Sequence, residues 1–355
     1  MSGPACVFHV IEAPGHGGTE VYVEALARHL APEIPQVIVP LSGTAEAARA
    51  RFAGLETHAP GGLGGFARLL RGLPEGALVQ FHLYSRLLPA IAVLRLRRPG
   101  GVRSLVTLHQ PLANWSWRHR LGWRLALRMA DGVVCVSGAV LDEVAAIVGP
   151  ARPAEVISAP LPAALLREDL PAGPGTAARF RVVGAGRLAP EKHWHTLVAA
   201  VRDVPGAELL IAGEGPQRAA LSERARAAGV ALSLPGRMQR AELFALFRGA
   251  DVFVLPSRFE GLGLAAIEAM ALGLPVVTAD YPAAADYILP GRTGFSFPAG
   301  DAEALARILT RLRDDPALRH RIAQAGAVHV RARYTTAAQF ARYPALYARI
   351  AACAS

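Results

Sequence analysis

Short apolar runs alternate with helix-length amphipathic stretches along most of this chain, and that rhythm restricts its fold more than any other feature. In the first half, strands are predicted at Val7–Ile11, Gln36–Leu41, Leu78–His82, Ser104–His109 and Val133–Ser137. Helices are predicted between them at Thr19–Leu30, Leu87–Arg97, Trp117–Ala130 and Ala139–Val148. The second half repeats the pattern, with strands expected at Phe180–Ala185, Glu208–Ala212, Leu232–Pro235, Val252–Leu255 and Pro275–Thr278. Its helices are expected at His195–Val204, Gln217–Ala228, Arg240–Arg248 and Gly263–Leu272. The fold class read from this is α/β, with parallel doubly wound sheets and ligands outside the carboxyl ends of the strands. Proline and glycine punctuate Ser158–Ala178, which is the expected join between two domains. After Asp301 the strands stop, and helices are expected over Ala302–Arg313, Pro316–Arg333 and Thr336–Ala352.

The most informative stretch is Phe253–Asp280, FVLPSRFEGLGLAAIEAMALGLPVVTAD. Glu260 and Glu268 bracket a glycine-broken turn that opens into a helix. Glu260 sits just before that helix, where free backbone N–H groups attract anions. Glu268 has Leu264, Ala265, Ala271 and Leu272 as helical neighbours, so its carboxylate loses hydration unless something pairs with it. Two partners fit: a ligand entering the space beside the alanines, or an arginine of the protein itself. A ligand with hydroxyls at both ends and phosphates between would suit the whole stretch.

Lys192 is the only lysine in the chain; every other strong base is arginine. Such a bias usually reflects a GC-rich genome. A lysine kept against it can mark a place where a compact ammonium is wanted. It lies with Arg187 on a loop between a predicted strand and helix, an arrangement suited to phosphate. A solvated loop is the plainer reading.

The 355 residues suffice for two domains, and the 52% hydrophobic content supplies a sizeable core. The net charge of +10 favours anionic partners, but no nucleic-acid-binding motif accompanies it, so no nucleic acid is expected. Cys6, Cys135 and Cys353 are too dispersed for a disulfide framework or metal cluster. His193 and His195 lack carboxylate or cysteine companions for a metal. The N-terminus has no signal-peptide core and no apolar run is long enough to span a bilayer, so a cytoplasmic protein is expected.

The motifs, taken in order, resemble the family four retaining glycosyltransferases of GT-B architecture, which have two facing Rossmann-like domains. Ser257-Arg-Phe-Glu-Gly-Leu-Gly-Leu through Glu268-Ala-Met-Ala, followed by Gly273-Leu-Pro-Val-Val, is similar to that family's pair of glutamates separated by seven residues. Gly186-Arg-Leu-Ala-Pro-Glu-Lys192 resembles its donor loop. Gly213-Glu-Gly-Pro, Pro235-Gly-Arg237, Gly17-Gly-Thr-Glu20 and Asp131-Gly-Val-Val-Cys-Val-Ser137 fall in register with further family segments. The chain departs at Ala159-Pro-Leu-Pro162 and at Pro282-Ala-Ala-Ala-Asp286, where the family often has Asn-Gly and Gly-Gly turns.

The resemblance implies an N-terminal acceptor-side domain at 1–162, with a last helix near 336–355 packing back on it, and a donor domain at 163–335. It implies a nucleotide-diphosphate-sugar donor and a saccharide, lipid-linked or small-molecule acceptor. Arg187 and Lys192 would bind the diphosphate, and the Gly261, Leu262, Gly263 and Leu264 backbone would face the distal phosphate and sugar. Glu260 would contact sugar hydroxyls, Glu268 the ribose, and Arg237 and Met238 the base. Gly17 and Gly18 would let backbone approach the phosphates, and His109 matches a family histidine near the reacting carbon. His109 can also be read as a structural donor at a strand end, and His82 is read as structural. No cofactor and no metal are required, because the chain has no Asp-X-Asp triplet. A sugar-nucleotide epimerase, a phosphorylase using Lys192, and a non-catalytic binding protein are alternatives on the same plan.

In Asn114–Met129, Arg120, Arg124 and Arg128 fall at helical spacing beside Trp117, Leu121, Leu125 and Met129. Two readings stay open. The apolar stripe faces the sheet and the arginines face water, or the helix docks peripherally on the inner face of a membrane.

Overall fold

A strand buried on both faces satisfies its backbone in a ladder and its side chains in two apolar layers. The protein, seen in a computed structural model, is built from two such sheets. Residues 3–15, 17–82, 86–97, 100–112, 115–149, 152–167, 169–170 and 179–352 are described. Asn114, residues 171–178 of the expected join, and 353–355 with Cys353 lie outside the described residues. The chain divides into two compact units, Met1–Pro160 with Thr336–Ser355, and Leu161–Thr335.

The first unit runs β1 (Val7–Ile11), α1 (Gly18–Leu30), β2 (Gln36–Pro40), α2 (Ala45–Arg51), β3 (Glu56–Thr57), α3 (Leu63–Leu69), β4 (Leu78–His82), α4 (Leu87–Arg97), β5 (Arg103–Leu108), α5 (Trp117–Met129), β6 (Gly132–Cys135), α6 (Gly138–Val148) and β7 (Ala154–Val156). The second begins with α7 (Ala163–Arg167), β8 (Phe180–Ala185), α8 (Trp194–Arg202), β9 (Ala207–Ala212), α9 (Arg218–Ala227), β10 (Leu232–Gly236) and α10 (Arg240–Arg248). It continues through β11 (Val252–Leu255), α11 (Leu264–Ala271), β12 (Val276–Ala279), β13 (Phe295–Phe297), α12 (Ala302–Asp314) and α13 (Pro316–Arg333). Helices α14 (Thr336–Phe340) and α15 (Tyr343–Ala352) complete the first unit.

The sheets are parallel, in the orders β3-β2-β1-β4-β5-β6-β7 and β10-β9-β8-β11-β12-β13. Strand order reverses beside β1 in one and beside β8 in the other, which places a ligand crevice at the carboxyl ends of those strands. In the first unit one sheet face packs Val10, Val39, Phe81, Val106 and Val133 under the α3–α6 layer. The opposite face is polar at its centre. Gln80 donates to Thr107 Oγ1 (2.9 Å) and to Tyr343 Oη (3.1 Å), and accepts from Tyr347 Oη (2.9 Å). Tyr22 of α1 bonds Tyr343 at 2.7 Å, so α15 is fastened to the sheet by hydroxyls as well as by apolar contact.

Several sequence expectations need correction. The last helix is broken after Phe340, because Pro344 lacks the N–H that would bond the Phe340 carbonyl. Gly263 is the N-cap of α11 and not its first turn, held at φ 92°. The short edge strands β3, β7 and β13 and the helices α2 and α3 were not expected, since two- or three-residue strands carry no period. Helix α5 buries Trp123, Ala126 and Leu127. Of the two readings left open for the stripe, the sheet-facing one does not hold for its first three members, with Trp117 68%, Leu121 52% and Leu125 45% exposed. This helix carries two apolar stripes, and the sequence does not say which one packs. Among the described residues no helix is long and apolar enough to cross a membrane.

Glycine sets the approach of two loops in the second unit. Gly186 N–H donates to the Ala212 carbonyl (2.9 Å) and Leu188 N–H to the Glu214 carbonyl (2.8 Å). A Cβ on Gly213 would fall onto the Gly186 carbonyl, and one on Gly215 would stand 2.7 Å from the Leu188 carbonyl carbon. Gly213→Ala is expected to cost about 2–4 kcal/mol. Gly72, which has open space around it, is expected to accept alanine nearly neutrally. Urea denaturation of both variants checks this, and equal midpoints contradict it.

Candidate functional site

An ammonium and a carboxylate drawn out of water must find each other or pay several kcal/mol apiece. At the carboxyl ends of β8 and β11 they do. At the end of β8 the backbone Gly184-Ala-Gly186 packs against Trp194, whose Cζ3 lies 2.6 Å from where a Gly184 Cβ would be. The Trp194 indole N–H donates to the Arg187 carbonyl at 2.9 Å. A single 3₁₀ turn, Pro190–Lys192, follows, and His193 leaves it in the left-handed region at φ 49°. The Lys192 stem passes over Gly186 with Cε 3.7 Å from that glycine's missing Cβ. Its ammonium donates to Glu260 Oε1. Both side chains are largely shielded, at 18% and 15% exposed. Ser257 Oγ donates to the same carboxylate oxygen at 2.7 Å, and Arg258 N–H donates to the Glu191 carbonyl at 3.0 Å, tying the two loops together. Arg187 stands in solvent and pairs with Glu191.

Helix α11 carries the second glutamate. Glu268 is buried, and the structure supplies the protein arginine that the sequence left open: Arg240 at the start of α10 donates to its Oε1. Burial pushes the Glu268 carboxyl up, and Arg240 opposes that shift. At the N-terminus of α11, the hydroxyls of Tyr281 and Tyr287 bond each other. They leave no room for a side chain on Gly263, whose Cβ would stand 2.7 Å from Tyr281 Oη. Burial raises both phenols well above their ordinary range. These tyrosines flank the turn Pro282–Asp286, one of the sequence departures noted above. Arg237 is exposed and Met238 half-buried in the turn after β10; among the described residues neither bonds either glutamate.

In the first unit Gly17 is the exposed N-cap of α1, and Gly18 has open space where a side chain would be. His109 follows β5, half-buried, and joins a chain of imidazoles. His109 Nε2 lies 3.0 Å from His82 Nδ1, His82 Nε2 lies 3.2 Å from His9 Nδ1, and His9 Nε2 lies 2.8 Å from Gln36 Oε1. His82 therefore belongs to the same cluster as His109. The signal for it was present: polar residues in strands otherwise continuous in apolar residues must find buried partners. A cavity of ≈ 400 Å³ opens between α4 and α5, lined in part by Leu87, Pro89, Arg118 and Trp123. Among the described residues the Trp123 indole N–H has no partner.

Burial depresses the imidazoles, His9 to about 4 and His109 to about 3 from the ordinary 6.5. The folded chain leaves them uncharged while an unfolded chain takes up protons near pH 6.5. Their contribution to stability is therefore complete above that pH and is lost as the pH falls toward 4 and then 3. From pH 7 to pH 5 the unfolding free energy is expected to drop by about 2 kcal/mol or more. A denaturation midpoint unchanged over that range contradicts this.

The glycosyl transferases group 1 model matches residues 176–329, and the glycosyltransferase family 4 model matches 16–163. The chain is 35% identical over 212 residues to glycogen synthase of Mycobacterium tuberculosis, covering 56% of this chain and 49% of that protein. It thus spans about half the length of that relative. It is 30% identical over 269 residues to 2-deoxystreptamine glucosyltransferase of Streptomyces kanamyceticus, covering 68% of this chain and 69% of that one. The solved structure of HepE of Anabaena in complex with UDP superposes with a TM-score of 0.83 at 20% identity, covering 97% of this chain and 100% of the other, which is a likeness of fold. With both halves matched in order and the two parallel sheets in place, the chain belongs to the group 1, family four glycosyltransferases, with the two Rossmann-like domains of the GT-B fold.

Proposed function

We propose that the protein is a retaining, metal-independent glycosyltransferase that moves a sugar from a nucleotide-diphosphate-sugar to an acceptor hydroxyl. The observation that carries this reading is the shielded Lys192–Glu260 pair beside the start of α11, with Arg187 on the same loop as Lys192. A pyrophosphate arriving there offers Lys192 a more highly charged partner than one carboxylate. Each charge-assisted hydrogen bond to it contributes roughly 1.5–3 kcal/mol. Lys192 then leaves Glu260 free to accept from sugar hydroxyls. Arg187 turns from Glu191 to the phosphates, and the free N–H groups at the head of α11 face the distal phosphate. Glu268 takes the ribose hydroxyls with Arg240 beside it, and Arg237 and Met238 meet the base. Gly17, Gly18 and His109 are the proposed donor contacts from the first unit.

In the reaction the bond from the anomeric carbon to the diphosphate oxygen breaks, and its electron pair stays on that oxygen. The acceptor hydroxyl oxygen bonds the same carbon on the same face, and its proton passes to the leaving phosphate. Lys192, Arg187 and the helix N-terminus meet the growing negative charge, so no metal or cofactor is required. The HepE structure with UDP supports a nucleotide donor, and the glycogen synthase and 2-deoxystreptamine glucosyltransferase relatives support a saccharide or small-molecule acceptor, in polysaccharide, glycolipid or glycoside synthesis.

The exposed Trp117, Leu121 and Leu125 lie on the same helix as exposed Arg118, Arg120, Arg124 and Arg128. That combination fits an anionic lipid surface, where rings sit at headgroup level and guanidinium groups meet phosphates. We therefore propose a peripheral membrane contact through α5.

Four outcomes test these readings. In a thermal-shift panel of UDP-, GDP-, ADP- and TDP-sugars, one class is expected to raise the melting point, because a ligand of the folded form stabilises it. No shift with any of them contradicts the donor assignment. Glu268→Ala is expected to weaken donor binding about tenfold or more, and Lys192→Ala to lower kcat by about 10²–10³. Product from an α-linked donor is expected to be α-linked, at a rate unchanged by EDTA; a β-linked product or a chelator-sensitive rate sinks those parts. The protein is expected to sediment with anionic vesicles and to be released by salt. Equal recovery with and without vesicles removes the membrane contact.

A further inference from the structure

A helix N-terminus favours anions, so an arginine as the first residue of a helix needs a reason outside that helix. Arg240 is such a residue. Gln239 caps α10 through a box with Glu242, which fixes where α10 begins. From there the Arg240 guanidinium lies 5.6 Å from the centre of the Phe244 ring and donates through Nη2 to Glu268 Oε1 on α11. The Arg240 side chain is 40% exposed and that of Glu268 8%. Glu268 Oε2 has no partner among the described residues. A shielded carboxylate with one oxygen engaged and the other without a partner is an incomplete hydrogen-bond set. The strands β11 and β12 packed against α11 carry no titratable side chain, and Arg167 of α7 is exposed. On α13, Arg319 pairs with Asp251 (3.3 Å) and Arg331 Nε donates to the Ala271 carbonyl (2.9 Å). His320 and His329 of α13 are half-buried, and its Arg321 and Arg333 are exposed. Burial pushes the Glu268 carboxyl up, and Arg240 is the charged group that offsets that push.

We propose that Arg240 is a positioning residue for the donor: it fixes the Glu268 carboxylate through Oε1 and leaves Oε2 to accept from a donor hydroxyl. This deepens the donor reading above and rests on it. An ionised carboxylate only accepts, and it holds a hydroxyl hydrogen more strongly than a carboxylic acid does. Without Arg240 the carboxyl keeps its burial and loses its counter-charge, so it takes up a proton instead of staying ionised. Donor binding then acquires a pH dependence. It is weak where Glu268 is protonated and is restored as rising pH removes that proton. Arg240 acts through Glu268 and touches no part of the nucleotide-sugar.

The test pairs ¹³C spectra of the glutamate carboxyls across pH, with Glu268 assigned by the loss of its signal in Glu268→Gln, with donor calorimetry. UDP-, GDP-, ADP- and TDP-glucose are the probes, at pH 7 and at pH 8.5. Arg240→Met is expected to raise the Glu268 midpoint above that of the wild-type protein. It is also expected to weaken donor binding about tenfold at pH 7 and to regain most of it at pH 8.5. Wild-type affinity is expected to be equal at the two pH values, and Arg240→Lys to keep most of it. In a Glu268→Gln background, Arg240→Met is expected to change affinity less than about twofold. A Glu268 midpoint unchanged in Arg240→Met overturns the proposal without need of a ligand. A loss of affinity that is the same at both pH values, as a merely structural contact would give, also overturns it. A full further loss in the Glu268→Gln background means that Arg240 contacts the donor itself, and ends its positioning role. A raised midpoint with none of the four sugars bound by any variant refutes the donor reading and not the hold of Arg240 on Glu268.

Discussion

The ion pair of Lys192 with Glu260 is the contact on which the second unit's strand ends depend. Neither group has enough water around it to stay charged at low cost alone, so each fixes the other. The pair joins the loop after β8 to the loop after β11 across the point where strand order reverses. Trp194 packed on Gly184, the crossing at Gly213, and the Arg258–Glu191 backbone bond all hold that lysine loop in place. Glu268 and Arg240 repeat the arrangement one helix away.

The first unit solves the same burial problem without charge. Gln80, Thr107, Tyr22, Tyr343 and Tyr347 close a neutral hydroxyl and amide network between its sheet and the C-terminal helix. The imidazole chain from Gln36 runs along the same sheet face. Parallel register aligns His9 with Gln80 and Ile11 with His82, so alternate residues of β1 and β4 bring the polar groups to one side. Two sheets of one topology thus end in different chemistry, cationic in one unit and neutral in the other.

Much of the architecture was legible in the sequence. The strands Val7–Ile11, Leu78–His82, Phe180–Ala185 and Val252–Leu255 stand where the apolar runs predicted, because a parallel strand buried on both faces leaves a continuous apolar signature. The edge strand Phe295–Phe297 left too short a run, and the break between α14 and α15 hung on Pro344. In the site, Lys192 and Glu260 were singled out separately, one by its rarity and the other by its place before a helix. Their contact was not readable, because 68 residues separate them. Arg240 was hidden among many arginines of similar context, and nothing local distinguishes the one that reaches Glu268. The Tyr281–Tyr287 pair escaped notice because its meaning lies in the space above Gly263, which only the fold creates. Helix α5 offered two apolar stripes of similar weight, and periodicity cannot choose between them.

Because the chain contains a single lysine, ¹³C or ¹⁵N labelling of lysine yields one side-chain resonance, and that resonance reports Lys192 directly. Titration with the nucleotide-sugar that stabilises the protein is the most direct measurement of whether this ammonium trades its carboxylate for a pyrophosphate. The resonance is expected to move and saturate with the diphosphate-sugar, and to move far less with the matching nucleoside. A lysine signal that stays fixed at saturating donor would contradict the account at its centre.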